Sequence, residues 1–287
     1  MQIFTTAEAL RDYLDRAPGP IAFVPTMGAL HEGHLALVRA ARADHPTVVC
    51  SIFVNPTQFN EAADLEAYPR TPEADAALLA GVDCEVLYLP DVEDVYPTGT
   101  AVSLAEQLDF GSLTTRMEGA HRPGHFAGVA QVVSRLLEIV RPTTLVMGQK
   151  DYQQVAVVRS MIAQLGLGVV LRAVATVREA DGLAMSSRNR RLGPAERQAA
   201  PAINRHLAAV VAGLRAGWPA RQLEALALDG LRRHPLLDPE YVEICHGDTL
   251  LPYTEGETSR EIVVATAVRC GPVRLIDNHA LAAPFNP

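Results

Sequence analysis

Three short stretches of this chain combine histidines, glycines, hydroxyls and single cations in ways that suit phosphate chemistry. The first is Pro25-Thr26-Met27-Gly28-Ala29-Leu30-His31-Glu32-Gly33-His34, lying between an apolar strand pattern and a helical one. A helix N-terminus offers backbone N–H groups to phosphate, and Gly28 and Gly33 let the backbone approach a ligand closely. His31 and His34, three apart, are expected on one helix face, where both could donate hydrogen bonds to phosphate oxygens. A zinc pair or two surface histidines are alternatives, although zinc needs a third ligand and the spacing is not HExxH. The second stretch, Met185-Ser186-Ser187-Arg188-Asn189, offers two hydroxyls and a guanidinium suited to phosphate. Its serines could equally cap a helix. The third, Gly148-Gln149-Lys150-Asp151-Tyr152-Gln153-Gln154, sets Lys150 at a helix N-terminus against the macrodipole. A bound anion would remove that conflict; an exposed first-turn lysine is the plain alternative.

The surrounding pattern supplies the elements that must position these stretches. Apolar runs predict strands at 21–25, 47–54, 85–90, 143–148 and 169–177, with helices at 34–44, 72–80, 125–140 and 151–165. In 125–140, Phe126, Val129, Val133, Leu136, Leu137 and Val140 recur at helical spacing. Continuously apolar strands alternating with helices predict an α/β fold with a Rossmann-like, doubly wound parallel sheet covered on both faces. The first and third stretches then fall at the carboxyl edge, where such sheets bind ligands. After about residue 180 the pattern changes. An Ala-rich helical pair is expected over 194–233, broken by Pro235 to Pro239, with strands in YVEICH, REIVVATAV and VRLIDN. This predicts a catalytic domain over 1–177 and a smaller C-terminal α+β domain over 178–287 that carries the MSSRN loop at its start.

Composition narrows the function classes. The chain has 287 residues, 48% hydrophobic and 20% charged, with net charge −8. Nucleic-acid binding through phosphates calls for a basic patch; none is visible, so no nucleic acid partner is expected. Cys50, Cys84, Cys245 and Cys270 are scattered and read as buried free thiols rather than disulfides. MQIFTTAEALRDYL reads as a short strand and an amphipathic helix, not as a signal peptide. No apolar run reaches the ~20 residues of a membrane span. A soluble cytoplasmic protein without a membrane partner is the expectation.

The HxGH turn together with the Ser-Ser-Arg loop is similar to the HxGH and KMSKS-type pair of the class I synthetase superfamily of nucleotidyltransferases. Four stretches, FVPTMGALHEGH, FVNPTQF, GQKDYQQ and READGLAMSSRNR, with HRPGHFAGV at 121–129, resemble the pantothenate synthetase family more specifically. Asn55-Pro56-Thr57-Gln58-Phe59 and Gln153-Gln154 carry that narrower match. The resemblance implies condensation of pantoate with β-alanine through a pantoyl-adenylate, with ATP as substrate, Mg²⁺ accompanying it, no tightly bound organic cofactor, and a homodimer. It implies that Met27, Gly28, Ala29, Leu30, His31, Glu32, Gly33 and His34 wrap ATP. Gly148, Gln149, Lys150 and Asp151, Val177 near the adenine, and Met185, Ser186, Ser187 and Arg188 complete that site. His34, His31, Lys150 and Arg188 take the catalytic roles, Gln58 and Gln154 hold pantoate, and Gln58 and Arg122 hold β-alanine. A loop bearing Glu118, His121 and Arg122 is expected to close the site against water. Two positions depart from the family pattern: Ala74 stands between Glu73 and Asp75 where relatives carry a denser acidic run, and Gln149 stands where Glu is common. The protein ligands of the metal are left open. Another HxGH-type adenylyltransferase, a small aminoacyl-tRNA synthetase and an inactive nucleotide-binding regulator are the competing readings. The acidic charge and missing tRNA-binding domain disfavour the second.

Overall fold

The computed structural model describes residues 1–59, 65–100, 108–254, 256–257 and 260–282. It forms two compact units. The first comprises Met1–Phe110, Arg122–Gln149 and Val157–Ala175; the second comprises Gly111–His121, Lys150–Ala156 and the chain from Thr176 onward.

A six-stranded parallel sheet builds the first unit. Its strands are β1 (Gln2–Phe4), β2 (Ile21–Thr26), β3 (Thr47–Ile52), β4 (Val86–Tyr88), β5 (Thr144–Gly148) and β6 (Val170–Val174). Their order is β1-β4-β3-β2-β5-β6, every pair parallel. The chain therefore winds one way from β2 through β3 to β4, then returns to the other side of β2 for β5. The order reverses between β2 and β5, where open α/β sheets place their ligand crevice. Helices Glu32–Arg42, Pro72–Ala80 and His125–Val140 follow the expected spans closely. Ala22, Val24, Leu35, Val38, Val48, Cys50, Leu79, Leu87 and Val146 form one buried cluster under the first two of these helices, the apolar burial that stabilises such a layered fold.

β3, β4 and β6 each fall short of their apolar runs, and β4 (Val86–Tyr88) ends where its ladders to Phe4 of β1 and Ser51 of β3 end. β3 stops at Ile52 because its partner β2 ends opposite it at Thr26 and turns away at Gly28, φ +82°. β6 stops at Val174, paired with Gly148, the last residue of β5. An edge strand with its only partner exhausted has no further ladder to extend.

In the second unit, β7 (Leu237–His246), β8 (Glu261–Cys270) and β9 (Val273–Ala282) form an antiparallel sheet in that order. The expected helical pair is three helices: Pro194–Ala199, Ala202–Arg215 and Ala220–Arg232. Pro201 has no N–H to continue the first, and Gly217, φ +77°, followed by Pro219 ends the second. β7 begins earlier than expected and contains Pro239. It is an edge strand with a register shift between Pro239 and Tyr241, the setting in which a strand tolerates proline. Leu207, Leu231, Ile244, Val264 and Val268 belong to the core of this unit. All four cysteines are free and buried, and no helix among the described residues is long and apolar enough to cross a membrane.

Candidate active site

In the first unit the expected residues gather at the carboxyl ends of β2, β3 and β5. After β2 the backbone doubles back through Gly28 and Ala29, φ +82° and +49°, and enters the helix at Glu32. Two side chains brace this turn. Thr26 Oγ1 accepts the Gly28 N–H at 3.2 Å and donates to the Ser51 carbonyl at 2.7 Å. Asp75, buried on helix Pro72–Ala80, accepts the Ala29 and Leu30 N–H groups at 2.9 and 2.8 Å, one on each carboxylate oxygen. Thr71 Oγ1 donates to it as well, at 3.1 Å. A Cβ on Gly28 would lie 2.9 Å from the Ile52 side chain and 3.1 Å from Asp75, so the turn also needs a residue without one.

The two histidines meet, but not by sharing a helix face. His31 is the N-cap, in extended conformation, and His34 is the third helical residue. His31 Nδ1 accepts the Gly33 N–H at 3.1 Å, and His34 Nδ1 accepts the His31 N–H at 3.3 Å, which places the ring centroids 4.1 Å apart. This is a capping box with imidazoles in the roles of hydroxyl and carboxylate. The arrangement has a chemical consequence. A neutral imidazole that accepts at Nδ1 carries its proton at Nε2, so the cap makes each ring a donor at Nε2. Glu32 lies in an exposed ion pair with Arg39.

Gln58 sits in a short helical turn, Pro56–Gln58, beyond β3. Its Nε2 is 2.9 Å from Met27 Sδ and its Oε1 accepts from Asn55 Nδ2 at 3.3 Å. Asn55 is buried and also bonds Thr57, the Gly128 carbonyl and Tyr96 Oη. Helix His125–Val140 lies so close that a Cβ on Gly128 would be 2.3 Å from the Thr57 carbonyl oxygen. His125 Nδ1 and Arg122 approach the Gln58 carbonyl at 2.8 and 3.4 Å. The first unit thus brings together Met27, Gln58 and Arg122. Gly148 and Gln149 leave β5, the strand paired with β2.

The second unit carries Lys150, Asp151, Gln154, Val177 and Met185–Arg188. Lys150 lies in the short turn Gln149–Asp151 ahead of helix Tyr152–Gln164, its Nζ 3.7 Å from Asp151. Its carbonyl accepts from Asn278 Nδ2 at 2.8 Å. Ser186 caps the turn Ser187–Arg191 by accepting the Arg188 N–H at 3.3 Å, so the capping reading holds for that serine. Val177 gives its carbonyl to the Met185 N–H at 3.0 Å. Gln154 is half-buried in the first helical turn. Gln153 is buried and fully used: it accepts the Glu118 N–H at 3.0 Å and donates to the Leu113 and Arg116 carbonyls at 2.8 and 2.9 Å.

Glu118 opens a short helix, Glu118–His121, rather than lying in a loop. It is buried and paired with both terminal nitrogens of Arg274 at 2.6 and 2.7 Å, with Tyr241 Oη donating at 2.9 Å. Arg274 also holds Glu240 at 2.8 Å, and His121 lies 3.5 Å from Glu240. Burial alone would push the Glu240 carboxyl up, but hydrogen bonds and charge from Arg274 hold it below its usual range. Burial, then the neighbouring Glu118, pushes Tyr241 far above its ordinary value.

The sequence marked Asp75 only as a neighbour of Ala74 and gave no sign of its bracing role; its bonds to the turn span 45 and 46 residues, with no local signal. Among the described residues no group of three or more His, Cys, Asp or Glu side chains could hold a metal ion.

The family described as pantoate-beta-alanine ligase matches residues 2–280. A pantothenate synthetase of Porphyromonas gingivalis is 47% identical, over 97% of this chain and 98% of the relative. The crystal structure of pantothenate synthetase from Thermus thermophilus is 43% identical, with TM-score 0.90 over 97% of this chain and 99% of that one. Pantoate-beta-alanine ligase from Francisella tularensis, complexed with beta-gamma ATP and beta-alanine, is 30% identical with TM-score 0.78, covering 97% of each chain.

Proposed function

The chain belongs to the pantoate–β-alanine ligase family, and from that premise we infer that it joins pantoate to β-alanine at the expense of ATP through a pantoyl-adenylate. The reading rests on one observation above others: the imidazole capping box that sets His31 and His34 as Nε2 donors at the carboxyl end of β2.

In the first step a pantoate carboxylate oxygen attacks the α-phosphorus of ATP, and the bond to the β-phosphate oxygen breaks to release pyrophosphate. Charge grows on the phosphate oxygens, so donors fixed in advance lower the barrier. His34 and His31 serve this role in the first unit. The braced Met27–His34 turn, with Gly148 and Gln149, takes part in holding ATP. Lys150 and Arg188 supply positive charge, and Asp151, Val177, Met185, Ser186 and Ser187 contribute to nucleotide binding. Gln58 and Gln154 bind pantoate with neutral amides, which orient its carboxylate without an opposing charge that would blunt its nucleophilicity. The short Gln58–Met27 contact supports placing pantoate beside the ATP turn. In the second step the β-alanine amine attacks the acyl carbon, the C–N bond forms, the bond to AMP breaks and the amine loses a proton. Gln58 and Arg122 hold β-alanine.

Mg²⁺ neutralises phosphate charge when it accompanies ATP. Both Asp75 oxygens are engaged by backbone N–H groups, and among the described residues no group of three or more His, Cys, Asp or Glu side chains could hold a metal ion. A cytoplasmic homodimer is part of the same reading.

The test is product formation. AMP is expected only when ATP, Mg²⁺, pantoate and β-alanine are present together. Equal AMP release with unrelated carboxylic acids would remove the substrate assignment; AMP retained in the product would favour another adenylyltransferase.

A further inference from the structure

Asp277 and Asn278 lie on β9, outside the three phosphate-directed stretches, yet they bond to the frames of two. Both are buried, 4% and 3% exposed. Arg178 donates to both Asp277 oxygens at 2.7 and 2.9 Å, and to the Gly182 and Asn278 carbonyls at 3.2 Å each. These bonds fix the base of a tight hairpin. The Glu179 N–H donates to the Leu183 carbonyl at 2.8 Å, the turn passes through Gly182, φ +89°, and the Met185 N–H returns to Val177 at 3.0 Å. Asn189 Nδ2 closes the next segment onto the Ala184 carbonyl at 3.0 Å and Glu179 at 3.1 Å. The Met185–Arg188 segment thus emerges from a frame tied to Asp277. The neighbouring Asn278 donates to the Lys150 carbonyl at 2.8 Å, and its own N–H donates to Asp277 Oδ1 at 2.8 Å.

We propose that the Asp277–Asn278 dipeptide is a positioning element for adenylation: within the second unit, two adjacent side chains set the Ser-Ser-Arg segment and Lys150 relative to each other. The proposal rests on the adenylation reading above and adds residues to it. The chemistry of the contacts supports it. A buried carboxylate needs a partner, and a planar guanidinium gripping both oxygens fixes an angle that an ammonium cannot. A misplacement of about 1 Å far from the chemistry can cost on the order of 10²-fold in rate.

The experiment measures both half-reactions, pantoyl-adenylate formation by rapid quench and transfer from supplied pantoyl-adenylate to β-alanine. The variants are Arg178→Lys, Asp277→Asn, Asn278→Asp and the Arg178→Lys/Asp277→Asn pair. Arg178→Lys keeps the charge and loses the fork; Asn278→Asp loses the donor to Lys150. Each is expected to slow adenylation by about 10- to 100-fold and leave transfer nearly unchanged. The double variant is expected to be far less than additive, because both changes break one interaction. Arg221→Lys is the control. It weakens the Arg221–Glu224 pair elsewhere in the same unit and is expected to lower thermal stability without slowing either half-reaction. Circular dichroism checks the fold; if Asp277→Asn does not fold, Arg178→Lys and Asn278→Asp decide the matter alone. Adenylation unchanged in Arg178→Lys and Asn278→Asp overturns the proposal. So does an equal loss in both half-reactions, or a loss in Arg221→Lys that matches Arg178→Lys. A wild-type protein that forms no pantoyl-adenylate overturns the functional reading as well, which separates the two failures.

Discussion

The two units hold the segments expected to handle phosphate by different physical means. In the first, the turn after β2 is set by backbone and neutral side chains, with a single buried carboxylate, Asp75, reaching two N–H groups. In the second, the corresponding segments depend on ion pairs. Arg178 reaches Asp277 across 99 residues, and Arg274 reaches Glu118 across 156. A capped helix after a parallel strand positions donors through geometry that any such sheet provides. An ion-paired frame positions them through partners that must stay charged and desolvated together. Damage to the second frame is therefore expected to appear in stability and pH dependence, and damage to the first more selectively in nucleotide handling.

The largest effect is expected from Arg274→Ala. It leaves Glu118 and Glu240 partly buried without their shared cation, a loss of about 3 kcal/mol in unfolding free energy by urea titration. A loss no greater than that of an exposed pair such as Arg39–Glu32 would show that this network adds little.

Asp75→Asn comes next. The amide keeps the shape but turns an NH₂ towards one of the N–H groups that Asp75 now accepts. A cost of about 1.5–3 kcal/mol is expected, with the KM for ATP raised more than that for pantoate. Equal changes in both would contradict a role confined to the nucleotide turn.

The smallest effect concerns His206 and His279. Burial lowers both below the ordinary value of 6.5, helped by Arg205 and Arg178 respectively, while Asp277 opposes the shift at His279. Below pH 6.5 the unfolded chain then binds more protons than the folded one, so stability falls as pH drops and is recovered as pH rises. Replacing both histidines with glutamine is expected to flatten the acid limb of the stability curve. An unchanged slope would show that other groups set it.

Much of the first unit was legible because its signals are local. Apolar runs marked the strands, and helical spacing marked His125–Val140. The glycine and histidine spacing marked the turn after β2. The bond pattern at that turn was not legible, since His31 as a cap and His34 within the helix look alike in a three-residue spacing. Asp75 and Gly128 act on segments far away in sequence, and nothing near them announces it. In the second unit the helices and strands were legible but the frame was not. Glu118 read as a loop residue because its partners, Tyr241 and Arg274, lie more than a hundred residues on. Gln153 entered only as half of the Gln153-Gln154 pair that carries the family match, and nothing near it shows that its amide is spent on the 113–118 backbone.

The central claim, that His34 and Lys150 serve adenylation, is tested most directly by rapid-quench measurement of the two half-reactions in His34→Ala and Lys150→Ala. Loss of one fixed donor is expected to slow pantoyl-adenylate formation by about 10²–10³-fold, while transfer from supplied pantoyl-adenylate to β-alanine falls far less. Half-reactions that slow equally in a folded variant, or that do not slow at all, would contradict the account.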